Sequence, residues 1–167
     1  MVKKVIGIDP GLEFTGIGIV KGVRMNVHAF SYGVVKTSKS DSLSKRLNDI
    51  FDALCTLLER EKPDVMVIEN AFSLSKYPKS GISLGNVMGV VHLAGYKFGL
   101  IVQEVSVREA KKILTGNGKA DKVQLEKGVR HFLKAKDPIH PSHASDALAL
   151  AVIGLLRMDK GFPSGAE

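Results

Sequence analysis

Apolar residues recur along the chain in two kinds of pattern. Short runs rich in β-branched residues predict strands at 4–9, 14–20, 25–37, 64–70 and 100–105. Longer segments with apolar residues three and four apart predict helices at 42–60, 82–98, 107–114, 120–134 and 141–157. This order predicts the α/β class, with a mixed five-stranded sheet flanked by helices. No repeat or linker divides the chain, so we expect a single domain over 1–158 and a loose tail over 159–167.

Glycines mark two positions in the second predicted strand. Gly16 and Gly18 share one face of it, because alternate residues of a strand point the same way. Either another element packs closely there or the strand bends. Lys21 and Gly22 predict the turn that ends this strand, and residues 72–80 predict a polar loop.

The composition is that of an ordinary globular protein. Hydrophobic residues make up 44% and charged residues 25%, which excludes a disordered or collagen-like chain. The longest apolar run, 147–156, has ten residues, whereas a membrane-spanning helix needs about 20, so we expect a soluble protein. The first residues enter a strand pattern directly, without the pattern of a signal peptide. The single cysteine, Cys55, excludes an intrachain disulfide and a cysteine-based zinc site, and a cytoplasmic location is expected.

The charge is strongly basic and unevenly placed. A net charge of +7 indicates an anionic partner, either nucleic acid or a membrane surface. Residues 103–136 hold nine Lys or Arg against four Asp or Glu, and therefore most of this surplus. These residues could contact phosphates or could simply form solvated helix faces. The chain has no amphipathic anchor helix, which makes a membrane the weaker choice. Backbone amides in the glycine-rich turn at 116–119 could hold a phosphate.

Two further segments suit nucleic acid or a partner helix. The predicted polar loop combines Phe72 with Lys76 and Lys79, which suits base stacking and backbone contacts. Phe72 could equally anchor the loop in the core. In the helix that follows, Gly85 and Gly89 share one face. They would allow close packing against the sheet or close approach of a second copy in a homodimer.

Four residues suggest a chemical site. Asp9 and Glu69 come at the ends of two predicted strands, and Asp146 lies in the first turns of the last helix, three residues after His143. Each could be a turn, capping or ion-pair residue, but the apolar surroundings make unpaired charges costly. If the carboxylates converge, they repel one another, and a divalent cation such as Mg²⁺ or Mn²⁺ is the usual solution. Two such ions about 4 Å apart can support phosphodiester cleavage.

The motifs together resemble those of the RuvC family, the bacterial Holliday junction resolvases. The resemblance runs in order from about Val5 to Leu156. It rests on Gly-Ile-Asp-Pro-Gly at 7–11 with Thr-Gly at 15–16, Ile-Glu-Asn-Ala-Phe at 68–72, the small-residue helix at 83–90, the basic stretch at 111–122, and His-Ala-Ser-Asp-Ala-Leu-Ala at 143–149. Asn70 departs from the Gln that follows the Glu in the best-known members, which affects any expectation about sequence preference but not the acid itself.

The resemblance implies an RNase H-like fold and a homodimer that cuts four-way DNA junctions by paired symmetric cleavage in recombination and repair. It implies Mg²⁺, with Mn²⁺ as a substitute and two ions in each active site, and a branch-migration helicase complex of the RuvA and RuvB type as partner. The implied catalytic and metal-binding residues are Asp9, Glu69, His143 and Asp146. The implied DNA contacts are Phe72, Lys76, Lys79, Lys111, Lys119 and Lys122.

Other classes of protein fit the pattern less well. Phosphotransferases of the actin and sugar-kinase type also open with a strand, an Asp and a glycine-containing turn, but they need a second domain that 167 residues do not provide. An inactive relative is disfavoured because no carboxylate is missing. A YqgF-like RNA-processing nuclease is disfavoured by the basic segment at 103–136 and by the loop around Phe72.

Overall fold

A mixed five-stranded sheet forms the centre of the computed structural model, which describes residues 1–70 and 78–158, with the backbone alone at 78–80. The strands are β1 (Lys3–Asp9), β2 (Phe14–Val23), β3 (Asn26–Lys36), β4 (Val65–Glu69) and β5 (Ile101–Val105). Their order in the sheet is β3-β2-β1-β4-β5. Strand β2 is antiparallel to its neighbours β1 and β3, whereas β4 is parallel to its neighbours β1 and β5. The predicted sheet is therefore confirmed.

Helices cover both faces of this sheet. They are α1 (Leu43–Glu61), α2 (Pro78–Lys97), α3 (Val107–Thr115), α4 (Lys122–Leu133) and α5 (Ser142–Met158). One apolar cluster joins the sheet to α3, α4 and α5, and a second joins its other face to α1 and α2. Because the central strands β1 and β4 contribute alternate residues to each cluster, both of their faces are apolar. No helix among the described residues has both the length and the apolarity that crossing a bilayer requires.

The glycines of β1 and β2 let α5 lie directly on the sheet. A Cβ atom added to Gly18 would come within 2.5 Å of the Leu148 nitrogen, and one on Gly16 would overlap the carbonyl oxygen of His143. Gly7 likewise lies against the α5 backbone. Of the two alternatives drawn from the glycine spacing, close packing is therefore the one observed. It brings the first turns of α5 over the carboxyl-terminal end of β1.

Three element boundaries differ from prediction by two residues or more. Lys21 and Gly22 do not form a turn, because β2 continues through a bulge there and the chain reverses after Val23, where Arg24 has a φ of 54°. Helix α2 begins at Pro78 instead of Ile82, since proline suits a first helical turn, and so it includes the last residues of the predicted polar loop. Helix α4 begins at Lys122 because Asp121 caps it, in a reciprocal pair of hydrogen bonds with Gln124.

The contact between α5 and the sheet predicts the effect of a single methyl group. Gly18→Ala should lower the free energy of unfolding by about 2–4 kcal/mol, because the new Cβ must displace the backbone of α5. Urea denaturation measures the loss. Gly33→Ala on β3 is the matched control, since a Cβ there meets nothing within 4 Å. Equal stability of the two variants would contradict the close contact.

Candidate active site

The ends of two parallel strands and the start of α5 meet at one cavity. Asp9 ends β1 and Glu69 ends β4, and these strands are paired through Ile8 and Ile68. Helix α5 contributes His143 and Asp146 from its first turns. All four side chains line a cavity of about 210 Å³. The structure thus brings together the four residues that the sequence singled out.

Two polar contacts hold the acids of the cavity. His143 Nδ1 lies 2.7 Å from Asp9 Oδ2, and Lys122 Nζ lies 3.4 Å from Asp146 Oδ2. Asp9 is only 8% exposed. The first contact joins residues 134 positions apart in the chain, so the cavity exists only when β1 and α5 are packed together.

An aromatic ring from β2 fixes the position of His143. The rings of Phe14 and His143 stack with centroids 5.7 Å apart and an interplanar angle of 17°. Lys36 Nζ lies 5.6 Å from the centroid of Phe14. The sequence pattern predicts a strand at Phe14 but indicates no role for it in a site. Strand alternation could have found it, since Phe14 shares the face of Gly16 and Gly18, which lies under α5.

Two carboxyl groups of the cavity, those of Asp9 and Glu69, have a raised pKa and hold their protons unusually tightly. Burial raises the pKa of Glu69 to about 7, and the charges of Asp9 and Asp146 and a hydrogen bond with Asp9 add to the rise. Burial also raises the pKa of Asp9, against the opposing hydrogen bond from His143. The ammonium of Lys122 opposes both rises. The repulsion expected if the carboxylates converge is therefore present.

The donor set fits a hard divalent cation. Three carboxylates and one imidazole suit Mg²⁺ or Mn²⁺, and the raised pKa values of Asp9 and Glu69 show negative charge that a cation would offset. Within residues 1–70 and 78–158, no three His, Cys, Asp or Glu side chains already stand in the geometry of a metal site. In this arrangement Asp9 contacts His143, and Asp146 contacts Lys122.

The predicted DNA contacts fall in different places. Lys111 and Lys122 line the cavity. Lys119 is exposed in the turn between α3 and α4, outside the lining. Phe72 and Lys76 lie outside the described residues, and for Lys79 only the backbone, in the first turn of α2, is described.

Three of the four backbone amides suggested for a phosphate in the turn at 116–119 already donate hydrogen bonds within the protein. The amides of Gly116, Asn117 and Lys119, and that of the next residue, Ala120, donate to acceptors between Lys112 and Asn117. A phosphate would have to break these bonds to use them.

The raised pKa of Glu69 predicts that the free energy of unfolding of the metal-free protein depends on pH. The folded state binds this proton more tightly than the unfolded state, whose pKa is near 4.5. The resulting stabilisation is complete below that pH and is lost as pH rises through about 7. Glu69→Gln should therefore be more stable than the parent at pH 8 by about 1–2 kcal/mol, allowing for solvent screening, and should lose this advantage at pH 4.

Chemical denaturation at the two pH values, without divalent ions, measures this gap. The exposed Glu59→Gln on α1 is the control and should show no such change. A gap between parent and Glu69→Gln that is independent of pH would contradict the raised pKa.

Comparison with known proteins identifies a family for this arrangement. The family model described as crossover junction endodeoxyribonuclease RuvC matches residues 5–154. The RuvC protein of Carboxydothermus hydrogenoformans is 37% identical over 155 residues, covering 93% of this chain and 97% of that protein. That of Prosthecochloris aestuarii is 34% identical over 157 residues, covering 94% and 83%.

Solved structures agree with this match. The structure of Thermus thermophilus RuvC in complex with Holliday junction substrate has a TM-score of 0.88 and 29% identity, covering 95% of this chain and 96% of that one. The yeast mitochondrial Holliday junction resolvase Ydc2, at 14% identity and a TM-score of 0.62 over 93% of this chain and 78% of its own, shares the fold. The chain therefore belongs to the RuvC family of crossover junction endodeoxyribonucleases.

Proposed function

We propose that this protein resolves four-way DNA junctions by paired, symmetric, Mg²⁺-dependent phosphodiester cleavage in recombination and repair. The observation that carries the proposal is the single cavity in which three carboxylates and an imidazole lie beside Lys111 and Lys122. It is supported by the likeness to T. thermophilus RuvC, whose structure holds a Holliday junction.

Each residue of the cavity has a role in this proposal. Asp9, Glu69 and Asp146 bind the ions, and all three must be ionised to do so. His143 orients Asp9 through their 2.7 Å hydrogen bond and adds a fourth donor. Two Mg²⁺ ions, for which Mn²⁺ substitutes, would supply activation of water and charge stabilisation at the leaving oxygen. Lys122 neutralises charge near the scissile phosphate and keeps Asp146 paired before DNA arrives.

The same proposal assigns DNA contacts outside the acid cluster. Lys111 lies at the cavity with its charge available to the scissile strand. Phe72, Lys76, Lys79 and Lys119 are proposed to contact bases and phosphates around the junction point. Their support is the matching order of the family motifs in the sequence.

Helix α2 supports a homodimer. Ile82, Leu93 and Tyr96 are 69%, 56% and 84% exposed and share a stripe with Gly85 and Gly89. A Cβ on either glycine would meet nothing, so these glycines do not serve packing against the sheet. We infer that a second copy covers this stripe, which would give the two active sites that symmetric cleavage needs.

The remaining expectations follow from family membership. A branch-migration helicase complex of the RuvA and RuvB type is the proposed partner, and the cytoplasm the proposed location. Residues 1–158 are proposed as a single nuclease domain. The tail expected at 159–167 lies outside the described residues.

The central prediction concerns Asp9. Asp9→Asn should abolish cutting of a labelled synthetic junction in Mg²⁺, because a ligand charge is lost, while junction binding is retained. Linear duplex and single strands are the substrate controls and should stay uncut. Loss of both binding and folding would contradict a catalytic role for Asp9. If the parent binds junctions without cutting them, the protein is a repurposed relative. If it shows no preference for junctions, an RNA-processing nuclease becomes the better hypothesis.

Lys122 should matter more for catalysis than for stability. Lys122→Ala removes a positive charge beside Asp146. Because the Lys122 side chain is 68% exposed, the free energy of unfolding should change by less than about 1 kcal/mol. Single-turnover cleavage should fall by about 10-fold or more, since an electrostatic contribution to the transition state is lost. Lys21→Ala, at the opposite end of the sheet, is the control. An unchanged cleavage rate would remove Lys122 from the mechanism.

The homodimer predicts the effect of a charge on α2. Leu93→Glu should raise the dissociation constant of the dimer by about 100-fold, because an apolar contact would become a buried charge. Analytical ultracentrifugation without DNA measures this. Met25→Glu, at a similarly exposed position outside α2, is the control. If Leu93→Glu and the parent associate equally, the stripe is not the interface.

A further inference from the structure

A groove leads away from the active site along α4. Its first part lies between α4 and the segment that leads into α5, and it shares Lys122 and Asp146 with the catalytic cavity. Its second part follows the end of α4 and shares Lys127 and Arg130 with the first. We call this the α4 groove; beyond Lys122 and Asp146 its walls include Val123, Glu126, Lys127, Arg130, Lys134 and Ile139.

The positive charge of the α4 groove is uncompensated at its far end. Glu126, its acid beyond Asp146, already accepts a hydrogen bond from the Ile139 amide at 3.0 Å and pairs with Arg130 at 3.4 Å. Lys127 and Lys134 are exposed, and neither pairs with a carboxylate in residues 1–70 or 78–158. Two lysines are therefore available to an anion.

The middle of the groove is less polar. Val123 is 62% exposed, and Pro138 and Ile139 form the opposite wall. Ser145 contributes a buried hydroxyl that has no hydrogen-bond partner among the described residues. A small anion bound at one point would not contact this less polar surface. An extended chain would contact it, with its phosphates at the lysines and its sugars along the apolar residues between them.

The dimensions suit such a chain. Helix α4 has 12 residues, which corresponds to a length of about 18 Å from Lys122 to Lys134. One strand of a DNA duplex rises by about 3.4 Å per nucleotide, so this length matches about five nucleotides. A strand cut at the active site and following α4 would bring a phosphate about five positions away to Lys134.

We propose that the α4 groove holds one strand of a junction arm, with Lys127 and Lys134 contacting its phosphates on one side of the cut. The inference rests on the proposed function. It adds a sequence-independent contact that orients the arm relative to the metal-binding residues.

The first test measures junction binding in metal-free buffer over a range of salt concentrations. Lys127→Gln with Lys134→Gln should reduce the slope of log affinity against log salt by about two, since each phosphate contact contributes about 0.9. Lys21→Gln with Lys62→Gln is the matched control. Lys62 ends α1 in the same left-handed conformation with which Lys134 ends α4, and Lys21 is exposed at the far end of the sheet. Equal slopes for the two double variants would overturn the proposal.

The second test locates the contact on the DNA. Single phosphates two to seven positions from the cut, on either side, are replaced by neutral methylphosphonates. One or two replacements near position five on one side should weaken binding by the parent about fivefold and leave Lys134→Gln unaffected. Equal weakening of parent and variant at every position would overturn the proposal. If the parent binds no junction at all, the proposed function fails instead.

Discussion

The contact between α5 and the glycines of β1 and β2 determines where the chemistry of this protein can occur. Any side chain at Gly7, Gly16 or Gly18 would push the helix off the sheet. With α5 resting on the strand backbone, its first two turns stand directly above the end of β1. His143 can then reach Asp9, and Asp146 faces the same cavity. The acid cluster depends on this close approach.

The cluster is held in a state of electrostatic strain. Burial and mutual repulsion raise the pKa values of Asp9 and Glu69, while His143 and Lys122 provide partial compensation. Replacing these acids with neutral residues would relieve the strain in the metal-free protein. Their presence fits the cation binding proposed above, and a site of this kind would illustrate how function can lower stability. Lys122 belongs to both surfaces, since it lines the active-site cavity and is also the first residue of the α4 groove.

Much of this arrangement follows from sequence patterns, and the exceptions have definite causes. The leucine and isoleucine stripe of α1 and the apolar runs of the strands depend on burial, which local pattern reports well. Asp9, Glu69 and Asp146 were found because acids in apolar surroundings are costly. The prediction of a turn at Lys21 and Gly22 was wrong because a glycine within a strand can mark a bulge as easily as a turn. Phe14 was missed because its contact with His143 depends on strand register and on the position of a helix far along the chain.

The long separation between Asp9 and His143 has a consequence for the protein during its synthesis. The first acid is made at the start of the chain and the last at residue 146, and they meet only after α5 has packed against β1. A ribosome-bound or prematurely ended chain that lacks α5 would have the sheet residues but no assembled acid cluster. Under the proposed mechanism, an incomplete copy would not cut DNA, because the acid cluster is assembled only when the last described helix is in place.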